Sequence, residues 1–174
     1  MKNPFGKSYG LEELNFFRFL SKINLFKYLN NDDLAHLVPY LHQRKYKKDE
    51  VVFFRGDPSQ ALYIVKSGKV SLNIDIGEKF ETLTNRTAGS CFGDNSLLAK
   101  SERIYNAIVE SEHCELYVIP QINILDLFEK KIEIKAKMLQ ALAESYYELN
   151  QNLYKSYKSS FGFFELSNAF DNIS

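Results

Sequence analysis

A glycine-containing turn followed by an arginine is the part of this sequence best suited to chemistry. Residues 91–98 read Cys-Phe-Gly-Asp-Asn-Ser-Leu-Leu, and Arg103 stands nine positions after Asp94. Glycine lets a ligand approach the backbone closely, the first N–H groups of a following helix attract an anion, and an arginine can bond that anion bidentately. The alternative is an ordinary helix start, where glycine and acidic residues are also common. We call residues 92–97 the Gly93 turn.

The bulk composition limits the classes of function. A chain of 174 residues is expected to form one domain around a single core. Lysine plus arginine equals aspartate plus glutamate, at 22 each, so no overall field attracts nucleic acid, and we expect no DNA binding by this chain alone. The first residues lack the apolar core that a signal peptide requires, and no apolar run is long enough to span a membrane, so we expect neither feature. A soluble, cytoplasmic protein is predicted.

The residue types that bind metals or act as nucleophiles are scattered. Cys91 and Cys114 lack metal-ligand spacing and are interpreted as small buried hydrophobes. The three histidines do not cluster. We therefore predict no metal site, no catalytic residues and no enzymatic activity.

The hydrophobic pattern predicts helices, then strands, then helices. Residues 10–41 carry apolar positions at helical intervals, which predicts two or three short helices. Short β-branched and aromatic runs follow, and closely spaced strands of this kind imply an antiparallel roll. The predicted strands are Val51–Phe54, Leu62–Val65, Val70–Ile76, Phe80–Leu83, Ala107–Val109 and Leu116–Ile119.

Helical composition returns after Pro120, a residue that suits the first turn of a helix. Two helices are predicted, over 121–131 and 132–158. The second carries apolar residues three or four positions apart, the spacing of a helix seam: Leu139, Leu142, Tyr146, Leu149, Leu153 and Tyr157. The stripe packs either on the protein's own roll or on a second copy. Its length favours a homodimer, in which the first five of these residues form the contact.

These patterns together predict an α+β fold in four segments. They are an N-terminal helical segment (1–44), a jelly-roll-like antiparallel β-roll with the Gly93 turn (45–119), C-terminal helices (120–160) and an apolar tail (161–174). The tail is too apolar for a solvated linker. It either packs on the N-terminal helices, covers a ligand pocket or binds a partner.

The chain resembles the cyclic nucleotide-binding domain family over about residues 20–157. The resemblance depends on three motifs in order: residues 25–34, residues 46–70 with their Arg-Gly-Asp-Pro and Lys-Ser-Gly-Lys turns, and the Gly93 turn with its arginine. It implies a β-roll, a long helix that forms a dimer, and cAMP, cGMP or another cyclic nucleotide as ligand. The winged-helix or helix-turn-helix region of the bacterial regulators in this family does not follow the long helix in this sequence.

The resemblance also implies roles for individual residues. The family's turn is Phe-Gly-Glu, its glutamate accepts a hydrogen bond from the ribose, and its arginine pairs with the cyclic phosphate. Candidate ligand-binding residues here are Phe92, Gly93, Asp94, Asn95, Ser96, Leu97, Arg103, Ile104 and Tyr105. The arginine has the spacing seen in kinase regulatory subunits, whereas the bacterial spacing would place Ile104 at the phosphate.

Two departures from the family pattern bear on affinity. Asp94 is one methylene shorter than glutamate, and Ile104 and Tyr105 are bulkier than the small residues that the family places beside the phosphate. We therefore expect weak binding of cAMP. The leading hypothesis is a stand-alone sensor or regulatory module that binds a nucleotide second messenger. The alternative is a scaffold with a degenerate pocket that binds a protein partner through the long helix and the aromatic tail.

Overall fold

Two four-stranded antiparallel sheets form the centre of the fold. The computed structural model describes residues 8–77 and 79–161. One sheet has the strand order β1-β8-β3-β6 and the other β2-β7-β4-β5. The strands are β1 (His42–Lys47), β2 (Val51–Phe53), β3 (Ala61–Ser67), β4 (Lys69–Ile76), β5 (Lys79–Thr87), β6 (Cys91–Phe92), β7 (Asn106–Val109) and β8 (His113–Pro120). The α+β prediction with an antiparallel roll is confirmed.

The core lies between the two sheets because alternate residues of each strand point inward. Val65, Phe92 and Leu116 come from one sheet, and Val70 and Leu72 from the other; all are at most 2% exposed and belong to one cluster. Burying apolar side chains of this size contributes roughly 1.5–3 kcal/mol each. This packing holds the two sheets together and gives the Gly93 turn a rigid base.

The described residues also form four α-helices. They are α1 (Leu11–Leu20), α2 (Asn31–Leu37), α3 (Gln121–Lys130) and α4 (Ile132–Phe161), with 3₁₀ turns at Asn24–Phe26, Val38–Tyr40 and Asp94–Leu97. At the start of α2, the Asn30 side chain accepts a hydrogen bond from the Asp33 amide and the Asp33 carboxylate accepts one from the Asn30 amide. Such a reciprocal cap explains why a helix of seven residues begins at this point.

The structure differs from the predicted strands at β1 and β6. The roll begins at His42 rather than at residue 45, and five of the six residues of β1 are exposed. An edge strand of this composition shows no alternation of apolar and polar residues, so the pattern missed it. The two residues of β6 are too few for a period-2 signal.

The chain divides into two compact units, residues 1–141 and 142–174. The first contains the roll, α1 to α3 and the beginning of α4, and the second contains the rest of α4. The long C-terminal helix is confirmed, at 30 residues. Beyond Phe161, the predicted apolar tail lies outside the described residues. Within the described residues, no helix combines the length and apolarity needed to span a membrane.

The predicted seam on α4 is exposed only along its distal half. Leu149 and Leu153 are 49% and 56% exposed, whereas Leu142 is only 3% exposed in the single chain. Leu139 and Tyr146 are partly buried. The expectation that Leu142 contacts a second copy is therefore corrected, because a side chain already buried has little surface to offer. Dimerisation through Leu149 and Leu153 stays a prediction.

Candidate functional site

The Gly93 turn connects β6 to the 3₁₀ turn Asp94–Leu97. Gly93 has φ +72°, in the left-handed region that glycine adopts without steric cost. A Cβ at this position would lie 2.5 Å from Nη1 of Arg103 and 3.1 Å from the Ala61 carbonyl oxygen. Glycine is therefore required both for the backbone conformation and for the close approach of the arginine.

Arg103 lies beneath this turn and is 3% exposed. Its Nη1 donates to the Gly93 carbonyl and to Asn95 Oδ1, both at 3.2 Å, and its Nη2 donates to the Ala61 carbonyl at 2.7 Å. These three acceptors belong to the protein itself. The arginine that the sequence assigns to the phosphate thus joins β3 to the turn.

Aromatic rings surround the guanidinium group of Arg103. Its central carbon lies 4.1 Å from the ring centroid of Phe53 and 5.5 Å from that of Tyr63, and Tyr63 stacks on Phe92 with 5.1 Å between centroids. Cation–π contacts of this kind are worth up to about 2 kcal/mol when desolvated. Burial lowers the pKa of Arg103 because the charged form loses water, but an arginine remains protonated at neutral pH.

Tyr105 is hydrogen-bonded through its hydroxyl group to the backbone of the Gly93 turn. Its hydroxyl accepts a hydrogen bond from the Gly93 amide at 3.0 Å, and its ring lies 5.8 Å from that of Phe53. Burial, and then the charge of Asp94, raises the pKa of Tyr105, so the hydroxyl stays neutral. A backbone N–H that a phosphate would use is therefore bonded to the protein's own side chain.

Ile104 does not enter the site. Its side chain is 61% exposed, whereas its neighbour Arg103 is 3% exposed and the hydroxyl of Tyr105 bonds the Gly93 amide. The expectation that Ile104 adds bulk beside the phosphate is therefore wrong, whereas the bulk of Tyr105 beside a phosphate stays a prediction. Of the two possible registers, the structure places Arg103 at the turn.

Asn95 and Gln121 hold the two ends of the turn. Asn95 accepts a hydrogen bond from the Ser59 hydroxyl at 3.0 Å and donates to the Glu102 carbonyl. Gln121, the first residue of α3, donates to the carbonyls of Ser96 at 3.0 Å and Leu98 at 2.9 Å. The turn is thereby fastened to the loop before Arg103 on one side and to a helix on the other.

The charges of two arginines, Arg86 and Arg103, act on Asp94. The sequence pattern did not predict a role for Arg86. Burial raises the pKa of the Asp94 carboxyl group, and the charge of Arg86 opposes this shift more than that of Arg103 does. Arg86 lies on β5 beyond the predicted strand Phe80–Leu83, so it was not assigned to the site. A signal existed, since residues 84 and 86 continue the alternation of β5 toward the inner face.

Two residues of this site, Ser96 and Arg103, carry buried polar atoms without a hydrogen-bond partner in the described part of the chain. Among the described residues, three buried side-chain nitrogen or oxygen atoms have no hydrogen-bond partner: Nε of Arg86, Oγ of Ser96 and Nε of Arg103. Ser96 and Arg103 are 0% and 3% exposed. Buried polar groups in folded proteins are nearly always bonded. An additional acceptor group at Ser96 or Arg103 would therefore satisfy a donor that the described residues leave unbonded.

The remaining candidates fill structural positions. Phe92 and Leu97 are 1% and 3% exposed and pack in the interior beside the turn. Cys91 is partly buried and Cys114 is buried, both as free thiols, and desolvation raises the pKa of Cys91 to about 12. In the part of the chain that the structure describes, no group of three or more histidine, cysteine or acidic residues could hold a metal ion.

The fold and the Gly93 turn are typical of a known class of protein, and comparison with known proteins identifies that class. The profile of the cyclic nucleotide-binding domain matches residues 43–131, about half of the chain. The chain is 34% identical over 119 residues to the Cyclic AMP receptor protein of Thermus thermophilus, covering 68% of this chain and 54% of that protein. This chain belongs to the cyclic nucleotide-binding domain family.

Solved structures agree with this assignment. The catabolite activator protein of Thermus thermophilus superposes with a TM-score of 0.65 at 30% identity, covering 75% of this chain and 61% of that one. The regulatory domain of Toxoplasma gondii PKA, crystallised with cAMP, superposes with a TM-score of 0.61 at 22% identity, covering 69% and 46%, which shows the shared fold. The chain spans from a fifth to about half of the length of the first curated relatives that it matches.

Proposed function

We propose that this chain is a regulatory module that binds an anionic nucleotide at the Gly93 turn and acts by binding rather than by catalysis, in the cytoplasm. The observation that carries the proposal is that three buried polar atoms of the described residues lack a partner, Nε of Arg86, Oγ of Ser96 and Nε of Arg103, and that Ser96 belongs to the Gly93 turn and Arg103 is bonded to it. A phosphate group offers several acceptor oxygens, and arginine and hydroxyl groups are its usual donors.

Cyclic nucleotides are the first ligands to test. A relative carries the name Cyclic AMP receptor protein, and a domain of the same fold was crystallised with cAMP. Because the Gly93 amide is occupied by Tyr105, binding must displace that hydroxyl or use the other donors. We therefore expect a lower affinity for cAMP than a small residue at position 105 would allow.

Ligand binding would reach the C-terminal helices through α3. The Gln121 amide group bonds the carbonyls at the end of the turn, so a shift of the turn moves the start of this helix. Lys131 separates α3 from α4 with non-helical backbone angles, φ −137° and ψ 81°, and can absorb such a rotation. The ligand would favour one of two helix positions in proportion to its differential affinity for them.

A homodimer is the second part of the proposal. Leu149 and Leu153 lie four residues apart on α4 and are about half exposed, as are Tyr147 and Tyr154. An apolar helix surface of this kind suits a second copy of the same helix. Replacing Leu149 and Leu153 together with aspartate should give monomers by light scattering. Leu11→Asp, at a residue 75% exposed on α1, is the control, and a monomeric wild type would reject the dimer.

A scaffold without a ligand is the second candidate function. The hydrogen bond from the Gly93 amide to Tyr105 and the three bonds of Arg103 favour it, because they fill the turn with the protein's own groups. In this case the module would bind a protein partner through α4, and addition of nucleotides would change nothing.

A thermal-shift and calorimetry panel of cAMP, cGMP and cyclic di-GMP separates the two candidates. A ligand present at 100 times its dissociation constant adds about 2.7 kcal/mol to the stability of the folded state. We expect at least one of the three to raise Tm. No shift and no heat with any of them, for the wild type and for Tyr105→Ala, would reject the sensor and leave the scaffold.

A further inference from the structure

Arg86 points toward the inside of the roll and precedes the Gly93 turn in the chain, whereas Arg103 follows the turn. In the β4–β5 pair it stands directly across from Val70, which is 0% exposed and belongs to the core. Residues directly opposite each other in an antiparallel pair have their side chains on the same face of the sheet. The Arg86 side chain therefore leaves β5 on the inner face.

The chain between Arg86 and the turn is held in place. The Val65 amide donates to the Ser90 carbonyl at 2.9 Å, and the Gly89 amide donates to the Val65 carbonyl at 3.0 Å. These two bonds tie the link between β5 and β6 to the central strand β3. The position of Arg86 relative to Gly93 is thus set by the sheet and does not depend on a free loop.

The two arginines differ in what their donors already bond. Arg103 uses both terminal nitrogens on the carbonyls of Gly93 and Ala61 and on Asn95, and its charge faces Asp57 and Asp94. Arg86 is only partly buried. Both arginines have a buried Nε without a partner, but within the described residues the side chain of Arg86 makes no hydrogen bond at all. Turning the terminal nitrogens of Arg103 toward a ligand would break three hydrogen bonds, whereas those of Arg86 are not engaged by the described residues.

The charge of Arg86 acts on the groups of the turn. It lowers the pKa of Asp94 and of Tyr105, in both cases more than Arg103 does, and it also lowers the pKa of the Cys91 thiol. Coulomb interaction falls with distance and with solvent screening. The positive charge of Arg86 therefore interacts more strongly with Asp94 and Tyr105 than the charge of Arg103 does.

We propose that Arg86 is the ligand-binding arginine of this chain, and that it bonds the phosphate of a nucleotide while Arg103 serves as a structural residue that holds the Gly93 turn. The inference rests on the proposed function, since it assigns the anion-binding role within the same site. It implies that the anion is read from β5, beside Asp94 and Ser96, and not only from the loop after the turn.

The test compares Arg86→Gln with Arg55→Gln as a matched control. Arg55 is an arginine on the surface, ion-paired with Asp75 at 3.3 Å with half of its side chain exposed. Affinities for cAMP, cGMP and cyclic di-GMP are measured by calorimetry. We expect Arg86→Gln to lose at least about tenfold in affinity, the effect of removing a charge-assisted hydrogen bond, Arg86→Lys to lose less, and Arg55→Gln to stay within about twofold.

A second measurement needs no ligand. The carboxyl group of Asp94 is followed by NMR as a function of pH in the wild type and in Arg86→Gln. Removing the positive charge should raise the pKa of Asp94, whereas Arg55→Gln should leave it unchanged. An unchanged titration in Arg86→Gln would show that Arg86 does not face the turn and would overturn the inference.

The outcomes separate the two proposals. Binding by the wild type with equal affinity in Arg86→Gln would reject the role of Arg86 and keep the sensor. Loss of binding in Arg86→Gln, with unfolding curves that match the wild type, would support both. Absence of binding in the wild type, in Tyr105→Ala and in every arginine variant would reject the sensor, and the ligand role of Arg86 with it.

Discussion

The segments before and after the Gly93 turn, which we call its two sides, each carry an arginine, and the two arginines are in opposite states. After the turn, Arg103 is 3% exposed, lies 4.1 Å from the ring centroid of Phe53 and bonds three acceptors of its own chain. Before the turn, Arg86 is partly exposed, and its side chain makes no hydrogen bond within the described residues. The first arrangement stabilises the fold, and the second leaves a donor for a ligand.

The difference shows that a motif arginine takes its role from its partners and not from its spacing alone. A buried cation is stable only when hydrogen-bond acceptors of the protein replace most of the water that it has lost. Where the protein supplies those bonds, the arginine is committed to the structure. Where the protein leaves a donor unbonded, an external anion can supply the acceptor.

The largest expected effect is a loss of stability when each of the two arginines is replaced by alanine in a separate variant. Arg103→Ala should lower the free energy of unfolding by about 3–5 kcal/mol, since it leaves the carbonyls of Gly93 and Ala61 without their donor and opens a cavity. Arg86→Ala should cost less than about 1 kcal/mol. Urea unfolding measures both, and equal losses would remove the distinction between the two sides.

The next effect tests how tightly the Arg103 side is packed. Gly93→Ala places a Cβ 2.5 Å from Nη1 of Arg103 at φ +72°, whereas Gly56→Ala has the same strain at φ +84° with nothing within 4 Å. We expect a loss of about 1 kcal/mol for Gly56→Ala from the backbone alone and roughly 2–3 kcal/mol for Gly93→Ala. Thermal unfolding of the pair isolates the crowding, and matching losses would show that the arginine moves aside freely.

Tyr105→Phe tests whether the Gly93 amide, which lies in the turn between the two arginines in the chain, limits ligand binding. It removes the acceptor of the Gly93 amide and should lower stability by about 1–2 kcal/mol, the cost of an unsatisfied buried donor. Because the amide is then available to a phosphate, the affinity for a nucleotide should rise. Calorimetry and urea unfolding check both effects, with Tyr46→Phe on β1 as the control. A less stable variant that binds no better than the wild type would show that Tyr105 does not limit binding.

Asp94→Asn gives the smallest expected effect, on the dependence of stability on pH. The pKa of Asp94 is raised in the folded state, so its protonated form stabilises the fold at low pH, and that contribution is lost as the pH rises through the folded pKa. The asparagine variant should therefore have a higher Tm at neutral pH and a flatter profile above pH 4. If Tm depended on pH in the variant as it does in the wild type, the carboxylate of Asp94 would be well solvated in the folded protein.

Hydrophobic period and local motifs are enough to predict the fold class, the long C-terminal helix and the family from the sequence. Six strands were placed from alternation, and the Phe-Gly-Asp turn with Arg103 was found from its residues and interpreted through the resemblance to the family. Local rules suffice for these features, since a glycine with φ > 0 and a repeat of two or of 3.6 residues are properties of short segments.

The positions and hydrogen bonds of the site residues could be read from the folded chain but not from the sequence pattern. Ile104 points to solvent while Tyr105 reaches the Gly93 amide, and Leu142 is buried where a dimer contact was expected. Arg86 joined the site because β5 pairs with β4 in the register that sets it opposite Val70. Burial and partners arise between segments far apart in the chain, so the periodicity of one segment cannot specify them.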